Sequence, residues 1–211
     1  MHDIVEDLKW RYAVKRFDQQ RILPQNKIDI LKKSFNLTAT SYGLQPIKLV
    51  ILSDKGLQEQ LIPHSFSQPQ VGQASHLLIL CVETRVDSRY INSYFDRVKQ
   101  VRGTNSEVLD PFKEALIDDF SKKDQTEILE WAKKQAYLAL GNLLTICALE
   151  RIDSCPMEGF MPEAYDRLLD LKSKGLTSVL VLPVGYRAED DMFSGFKKVR
   201  RRLTDSIIDL T

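Results

Sequence analysis

Largely apolar runs alternate with helical patterns along this chain. Residues 47–52, 77–82 and 176–184 are rich in apolar and β-branched side chains, and each run predicts a buried strand. Helical segments of unequal length separate these runs, which favours a mixed α/β architecture over a helix bundle or a β-sandwich. No repeat or linker-like stretch divides the sequence, so we expect a single domain over residues 1–211.

The helical patterns begin close to the N-terminus. A short helix is predicted from Ile4 towards Trp10, and a second helix is predicted to begin at Pro24, because proline suits the first turn of a helix. Residues 56–62 favour a third, short helix, and residues 87–121 have a longer and more polar helical pattern. Helices therefore precede the first strand and fill both intervals between strands.

The longest helix is predicted over residues 126–149. Its first half is amphipathic, whereas residues 137–149 are apolar nearly all round. A helix of that kind must be covered on every side, either by the rest of the fold or by another subunit. Gly141 within it would let another helix approach closely.

The charge composition gives no indication of a nucleic-acid or membrane partner. The 211 residues include 30 basic and 29 acidic side chains, and the formal net charge is +1. The first residues contain no basic targeting cluster, and the apolar runs are far too short to cross a bilayer. We therefore expect a cytoplasmic protein with neither a nucleic-acid nor a membrane partner.

Cysteine and histidine spacing gives no metal-binding motif. The three cysteines include no CxxC pair, and their odd number favours a reducing compartment. Cys81 and Cys147 lie in apolar segments, where burial as small hydrophobic residues is expected. The three histidines lack HExxH or related spacing, so no metal site is predicted.

Two basic clusters lie at opposite ends of the chain. Residues 11–18 have the sequence RYAVKRFD, and residues 197–202 have the sequence KKVRRR. Guanidinium and ammonium groups both bind phosphate, so the clusters could converge on one dianionic group. A solvated charged surface is the alternative. The second cluster also fits a nucleic-acid patch, but no aromatic stacking platform lies near it.

Two other segments could approach a ligand. Gln45 before Pro46 places a carboxamide at the start of a strand, where it can hydrogen-bond a heterocycle or serve as a turn residue. The segment PMEGF, residues 156–160, follows the long helix, and Gly159 within it allows the backbone to approach a ligand closely.

Taken in order, these segments resemble the nitroreductase family of FMN enzymes, especially the oxygen-insensitive NAD(P)H nitroreductase and dihydropteridine reductase branch. The resemblance extends from about residue 4 to about residue 200 and implies an α+β fold, with a mixed, mainly antiparallel sheet flanked by helices. The matching segments are RYAVKRFD (11–18), SYGLQP (41–46), QASHLLILC (73–81), EWAKKQAYLALGNLL (130–144), PMEGF (156–160), and LPVGY (182–186) followed by KKVR (197–200).

The resemblance implies an FMN site built from both ends of the chain. Arg11, Lys198 and Arg200 are expected at the FMN phosphate, and Lys15 near the pyrimidine end of the isoalloxazine. The backbone N–H of Gly159 is expected to point at flavin N5, which is the reactive centre, so no catalytic side chain is assigned. The other expected FMN-binding residues are Tyr12, Ala13, Thr40, Ser41, Gly43, Ser67, Gln70, Gln135, Pro156, Met157 and Glu158.

Four of these positions depart from the family pattern. Tyr12 stands where the family often has histidine or arginine. Ala13 lacks the hydroxyl of the serine that is common there, and Ser67 stands where many relatives have asparagine. Gln70 stands where close bacterial nitroreductases have lysine, so one positive charge near the flavin is missing. We predict a lower flavin reduction potential than in the lysine-bearing relatives.

The implied activity is hydride transfer from NADH or NADPH, through FMN, to small electron-poor acceptors by a ping-pong mechanism. The acceptor classes are nitroaromatics, quinones, pterins and enones. A non-catalytic FMN-binding dimer, or a flavin enzyme of another type such as dehalogenation or flavin fragmentation, is the alternative. Candidates for the acceptor pocket, which core packing would explain equally well, are Tyr94, Phe95, Leu116, Ile117 and Phe120.

The resemblance also implies an obligate homodimer with each FMN in a groove between subunits. The partner would then cover the apolar face of residues 137–149. The C-terminal residues 207–210 would cross to add a strand to the partner's sheet, whereas a frayed terminus is the alternative.

Overall fold

A four-stranded sheet forms the centre of the computed structural model, which describes residues 3–210. The strands are β1 (Ile47–Leu52), β2 (His76–Glu83), β3 (Asp153–Ser154) and β4 (Leu176–Gly185), in the spatial order β1-β2-β4-β3. The pairings between these described strands are all antiparallel, and a parallel bridge joins Ala13 to Ser154 beside β3. The prediction of a mainly antiparallel α+β fold is therefore confirmed.

Helices flank the sheet and pack against its faces. None of the helices in the described part of the chain is long and apolar enough to span a membrane. In chain order they are α1 (Ile4–Trp10), α2 (Gln25–Asn36), α3 (Lys55–Leu61), α4 (Gln70–Gln73), α5 (Ser88–Arg102), α6 (Ser106–Lys122), α7 (Gln125–Leu149) and α8 (Pro162–Leu168).

Residues 77–82 of strand β2 are all apolar because both faces of the sheet are covered at their position. Leu78, Leu80 and Val82 pack with the buried side of α7 and with α2, whereas Leu77 and Ile79 face a second buried cluster on the opposite side. Alternate residues of a strand point to opposite faces, so a strand covered on both sides loses the alternation of polar and apolar positions. This explains the continuous apolar run in the sequence.

Helix α7 begins at a capping box and lies against the sheet. The side chain of Asp124 accepts a hydrogen bond from the Glu127 backbone, and the Glu127 side chain accepts one from the Asp124 backbone. Leu143 is fully buried beneath the helix, but Tyr137 and Leu138 are 46% and 54% exposed on its outer side. The chain alone therefore leaves part of the apolar helix uncovered.

The predicted helices match the observed ones except where a local pattern was too short or was interrupted. Residues 87–121 form two helices, because Gly103 adopts a left-handed conformation (φ 65°) and ends α5. The two residues of β3 and the short helices α4 and α8 were not predicted. The two residues of β3 and the single turn of α4 are too short to show periodicity, whereas α8 is as long as the predicted helices α1 and α3.

Candidate functional site

The two basic clusters meet in space. Residues 11–18 run alongside β3 and the end of β4, where the Val14 backbone donates to the Ser154 carbonyl at 3.2 Å and Phe17 pairs with Arg187. The Lys198 ammonium group donates a hydrogen bond to the backbone carbonyl of Arg11. Residues that are 187 positions apart in the sequence therefore lie side by side.

The meeting point carries unneutralised positive charge. Burial, with repulsion from Arg200, lowers the pKa of Arg11. Burial, with repulsion from Arg11, Arg200 and Arg187, also lowers the pKa of Lys198. The buried Nε of Arg11 has no hydrogen-bond partner among the described residues. An unpaired guanidinium donor next to two further cations is a site suited to a dianion such as a phosphate monoester.

Two aromatic rings and two carboxylates contact residues of this cluster and hold them in place. The Arg187 guanidinium lies 4.4 Å from the Trp10 ring centroid and 4.5 Å from that of Tyr12. It is held there by Asp153, which accepts from the Arg187 backbone and Nε at 2.8 Å each. The predicted residue Tyr12 thus contributes a ring to the base of the cluster, and its hydroxyl donates to Asp191 at 3.0 Å.

Lys15 and Gln70 both lie next to Cys155, and hydrogen bonds through Gln68 connect Gln70 to Gly159. The Lys15 ammonium and the Gln70 amide nitrogen each lie 3.9 Å from Cys155 Sγ. Gln70 also donates to Gln68 Oε1 at 2.9 Å, and Gln68 donates to the Gly159 carbonyl at 2.9 Å. No described residue accepts a hydrogen bond from the Gly159 backbone N–H.

The remaining predicted residues of the 156–160 segment differ in exposure. Met157 is buried and pairs with Val181 of β4, so its side chain belongs to the core. Pro156 is half-buried. Glu158 is exposed, and its carboxylate accepts a hydrogen bond from the Tyr137 hydroxyl at 2.7 Å. Ser67, on the facing loop, has a left-handed backbone (φ 58°), as has Phe66 before it.

The predicted residues Thr40, Ser41, Gly43 and Gln135 form a second group. Gln135 Oε1 accepts from the Ser41 backbone at 2.8 Å, so α7 positions this turn. Gly43 has φ 73°, a conformation that strains any other residue, and a Cβ there would lie 2.5 Å from the Tyr94 hydroxyl oxygen, so Tyr94 would have to shift. Within the described residues, no hydrogen bond joins this group to the basic cluster.

The contacts describe the surroundings of two further sets of candidate residues. Gln45 acts as a turn residue, because its backbone N–H donates to Thr40 Oγ1 at 3.0 Å and its amide donates to the Asn36 carbonyl at 2.9 Å. Among the candidate pocket residues, Phe95, Leu116 and Phe120 are at most 4% exposed and form a core cluster, while Tyr94 and Ile117 are partly buried against it.

A groove of about 900 Å³ runs along β1, away from the basic cluster. Strand β1 pairs with β2 on one side and borders no other described strand, so the groove follows a free sheet edge. Its walls come from α2 and α5 and include Phe35 and Tyr94. A smaller hollow of about 410 Å³ lies next to Tyr137 and Glu158.

Sequence reasoning missed three residues that organise the site: Asp191, Arg187 and Gln68. Each acts through contacts with residues that are distant in the sequence. The segment AEDD around Asp191 offers two adjacent aspartates but nothing that separates the buried one from its exposed neighbour.

Known proteins resemble this chain in both sequence and structure. A protein of Staphylococcus aureus named "Putative NAD(P)H nitroreductase" is 32% identical over 197 residues, which cover 89% of this chain and 87% of that protein. The structure of a "putative nitroreductase in complex with FMN" from Exiguobacterium sibiricum superimposes with a TM-score of 0.84 at 16% identity, covering 100% and 98% of the two chains. The enone reductase CLA-ER of a gut-bacterial fatty acid saturation metabolism gives a TM-score of 0.80 at 16% identity, covering 100% and 99%.

The two structural similarities establish the fold alone, because their sequence identities are low. The sequence comparison goes further, since the model of the family described as "Nitroreductase family" matches residues 8–186. That range contains the N-terminal basic cluster, the Ser41 turn, the long helix and the Gly159 segment. With this match and a relative at 32% identity, the chain belongs to the nitroreductase family.

Proposed function

We propose that this chain is an FMN-dependent oxidoreductase that passes hydride from NADH or NADPH to small electron-poor acceptors. The observation that carries the proposal is the convergence of Arg11, Lys198 and Arg200 around a buried guanidinium nitrogen without a partner. A single domain over residues 1–211 would contain all residues of the site that one subunit contributes.

The residues present fit FMN. Arg11, Lys198 and Arg200 would hold the phosphate. Burial, and after it repulsion from neighbouring cations, lowers the pKa of Arg11 and of Lys198, and the two negative charges of the phosphate would offset that repulsion. Ala13 offers no hydroxyl to the phosphate, so only its backbone is available there. Tyr12 would support the cluster through Arg187 rather than by a charge of its own.

The amide chain from Gln70 to Gly159 would bind and orient the isoalloxazine. When bound, the flavin supplies N5 as the hydride-accepting atom, and no side chain of this protein needs to act as a nucleophile or general base. The Gly159 N–H would face N5, Gln68 would fix the carbonyl of the same residue, and Lys15 would place positive charge beside the pyrimidine ring. NAD(P)H and the acceptor would occupy the same place in turn, which is ping-pong kinetics.

A second copy of the chain would complete the site. The outer side of α7 and the neighbouring α1 expose Ile4, Val5 and Leu138 at 49%, 55% and 54%, a pattern typical of a surface that a partner covers. The Ser41–Gln135 group lies apart from the basic cluster of its own chain, so we infer that it lines the flavin held by the partner subunit.

The groove along β1 would receive the partner's C-terminal segment. Ile207, Ile208 and Leu210 are 53%, 85% and 94% exposed, so the segment has apolar side chains that nothing in its own chain buries. The groove offers an unpaired strand edge between two helices, and Lys32 and Arg97 on its walls complement Asp209 of the segment. Added strands of this kind bind through main-chain hydrogen bonds.

The names of related proteins support the proposed function. The relative at 32% identity is named as an NAD(P)H nitroreductase, one structural neighbour is an FMN complex, and another is an enone reductase. Among the proposed acceptors, nitroaromatics, quinones, pterins and enones share low-lying empty orbitals that accept hydride. Catalysis on soluble cofactors is consistent with the proposed cytoplasmic location.

Anaerobic mixing of the FMN-loaded protein with NADH or NADPH tests this function. We expect rapid loss of the visible flavin absorbance, followed by its recovery when menadione is added. A yellow protein that neither nucleotide bleaches would be a carrier of FMN, and the reductase would be excluded. Free FMN at the same concentration is the matched control for non-enzymatic reduction.

A further inference from the structure

Asp191 is the last buried side chain along the described chain. It is 3% exposed, whereas every described residue from 192 to 210 is exposed. Lys198 and Arg200 therefore lie in a segment that has no buried side chain after Asp191. The position of these two cations depends on how the segment is anchored at its start and on the contact between Lys198 and the Arg11 carbonyl.

The Asp191 carboxylate joins the two segments that carry the phosphate-binding cations. Its Oδ2 accepts hydrogen bonds from the backbones of Lys15 at 2.9 Å and Arg16 at 3.3 Å, and from the Tyr12 hydroxyl at 3.0 Å. Its Oδ1 accepts from the Phe193 backbone at 3.1 Å, which begins the turn Met192–Gly195. One oxygen therefore binds the N-terminal segment and the other shapes the C-terminal one.

The carboxylate is ionised when it makes these contacts. Burial alone would raise the pKa of Asp191, but the hydrogen bonds from Lys15, Phe193 and Arg16 outweigh burial, and the pKa lies below its ordinary value. Burial also raises the pKa of the Tyr12 phenol, which keeps the hydroxyl proton that is donated. Four donors on one buried carboxylate form a strong cross-link.

A negative charge at this place works against binding of a phosphate by Coulomb's law. Asp191 is therefore not explained by attraction of the cofactor, and its contribution must be geometric. Asp190 next to it carries the same charge but is exposed and pairs with the exposed Arg16 side chain at 2.9 Å. The two neighbouring aspartates differ in burial and in their contacts with the backbone.

We propose that Asp191 is a positioning residue that fixes Lys198 and Arg200 relative to Arg11 and thereby sets the preference of the site for FMN over riboflavin. The inference rests on the proposed function, because it requires that the basic cluster binds the FMN phosphate. Riboflavin has the same ring system without the phosphate, so the ratio of the two affinities isolates the phosphate contribution.

Fluorescence titration of the apoprotein with FMN and with riboflavin tests the proposal. Asp191→Asn removes the charge and two acceptor positions, and we expect the FMN-to-riboflavin affinity ratio to fall by about tenfold or more, since tenfold corresponds to about 1.4 kcal/mol. Asp190→Asn is the matched control and should leave the ratio unchanged or slightly higher. If the aspartates acted only through their negative charge, removing that charge would raise the FMN-to-riboflavin affinity ratio in both variants. A fall of the ratio in Asp191→Asn therefore indicates a positioning role rather than an effect of charge.

Tyr12→Phe is a second variant, which removes a single donor to the same carboxylate and preserves the ring beneath Arg187. We expect a smaller fall of the ratio in this variant, and no further fall when it is combined with Asp191→Asn. Equal losses of FMN and riboflavin affinity in Asp191→Asn, or an unchanged ratio in Tyr12→Phe, would overturn the proposal. If the wild-type protein bound neither flavin, the proposed function itself would fail, whereas retention of a normal ratio by Asp191→Asn would refute only the role of Asp191.

Discussion

At the scale of single residues, the candidate site combines cations with amides, and Nε of Arg11 has no hydrogen-bond partner among the described residues. Arg11 places a half-buried guanidinium beside Lys198 and Arg200, an arrangement that costs free energy until an anion binds. Functional sites commonly hold groups in such unfavourable surroundings. Gln70 places a neutral amide, rather than a charge, at a buried position close to Lys15 and Cys155.

Gln70→Lys should raise the reduction potential of the bound FMN. An added ammonium group stabilises the negative charge that accumulates on a flavin during reduction, and we expect an upward shift on the order of tens of millivolts. Spectroelectrochemical titration measures the shift. Gln70→Met, of similar size but uncharged, is the control. A potential that is equal in the Lys and Met variants would contradict the argument from charge.

Two buried thiols predict a loss of stability in alkaline solution. Burial raises the pKa of Cys81 and of Cys147 from 9.0 to about 12. Groups whose pKa is raised by folding give stability that is complete below the unfolded value and is lost as the pH rises through the folded value. The free energy of unfolding should therefore fall between pH 9 and 12, by at most about 1.4 kcal/mol per pH unit for each thiol.

Urea denaturation across that pH interval measures this slope. Cys147→Ala removes one thiol, so its slope should be smaller than that of the wild type, whatever its stability at neutral pH. The buried tyrosines with raised pKa contribute equally to both proteins. Parallel curves for the two proteins would show that the Cys147 thiol does not titrate as inferred.

The sequence predicted which cations belong to the candidate site, but it did not predict the residues that hold them in position. Arg11, Lys198 and Arg200 could be found because basic clusters are visible in the sequence, and the family resemblance placed them at one phosphate. Asp191 and Arg187 could not be found, because their partners Lys15 and Asp153 lie 176 and 34 positions away. A carboxylate in a chain with 29 acidic residues gives no sign of burial before the fold is known.

At the scale of elements, the long helix α7 connects the core to the site. Its inner side packs on β2 and β4, Gln135 near its middle holds the Ser41 turn, and Tyr137 binds Glu158. Its extent was predicted to within one residue, because a helix of 25 residues gives a strong pattern. The same pattern indicated that the helix must be covered on every side, by the rest of the fold or by another subunit, and within one chain Leu138 is left 54% exposed.

Leu143→Ala should destabilise the fold strongly. The side chain is fully buried between α7 and the sheet, and truncation of such a leucine leaves a cavity that costs about 2–5 kcal/mol. Lys134→Ala on the exposed side of the same helix should change the free energy of unfolding by no more than about 0.5 kcal/mol. Chemical denaturation measures both values, and similar losses in the two variants would contradict the observed packing.

At the scale of the whole molecule, one chain leaves an apolar helix side, a free strand edge and an exposed apolar C-terminal segment. These three features complement one another if two copies pair. The sequence alone could not predict which strand is at the edge, because edge position depends on the order of the sheet rather than on any local pattern. The order β1-β2-β4-β3 places a free edge at β1.

Truncation of the chain after Arg202 should weaken the proposed dimer while leaving Lys198 and Arg200, the proposed phosphate-binding cations, in place. The lost segment includes Ile207, Ile208 and Leu210, and we expect the dimer dissociation constant to rise at least about tenfold. Sedimentation velocity over a range of concentrations measures it. Val108→Ser, on the exposed surface of α6, is the control. A monomeric full-length protein, or a truncated protein that dimerises as tightly, would refute the exchange of C-terminal segments.

The most direct measurement is the visible absorbance spectrum of the purified protein after equilibration with FMN and removal of the unbound cofactor. If the cations of the two chain ends hold a flavin phosphate, the protein will carry one FMN per chain, and the Arg11→Ala Lys198→Ala double variant will lose it while remaining folded. A colourless wild-type protein that takes up no FMN would contradict the assignment.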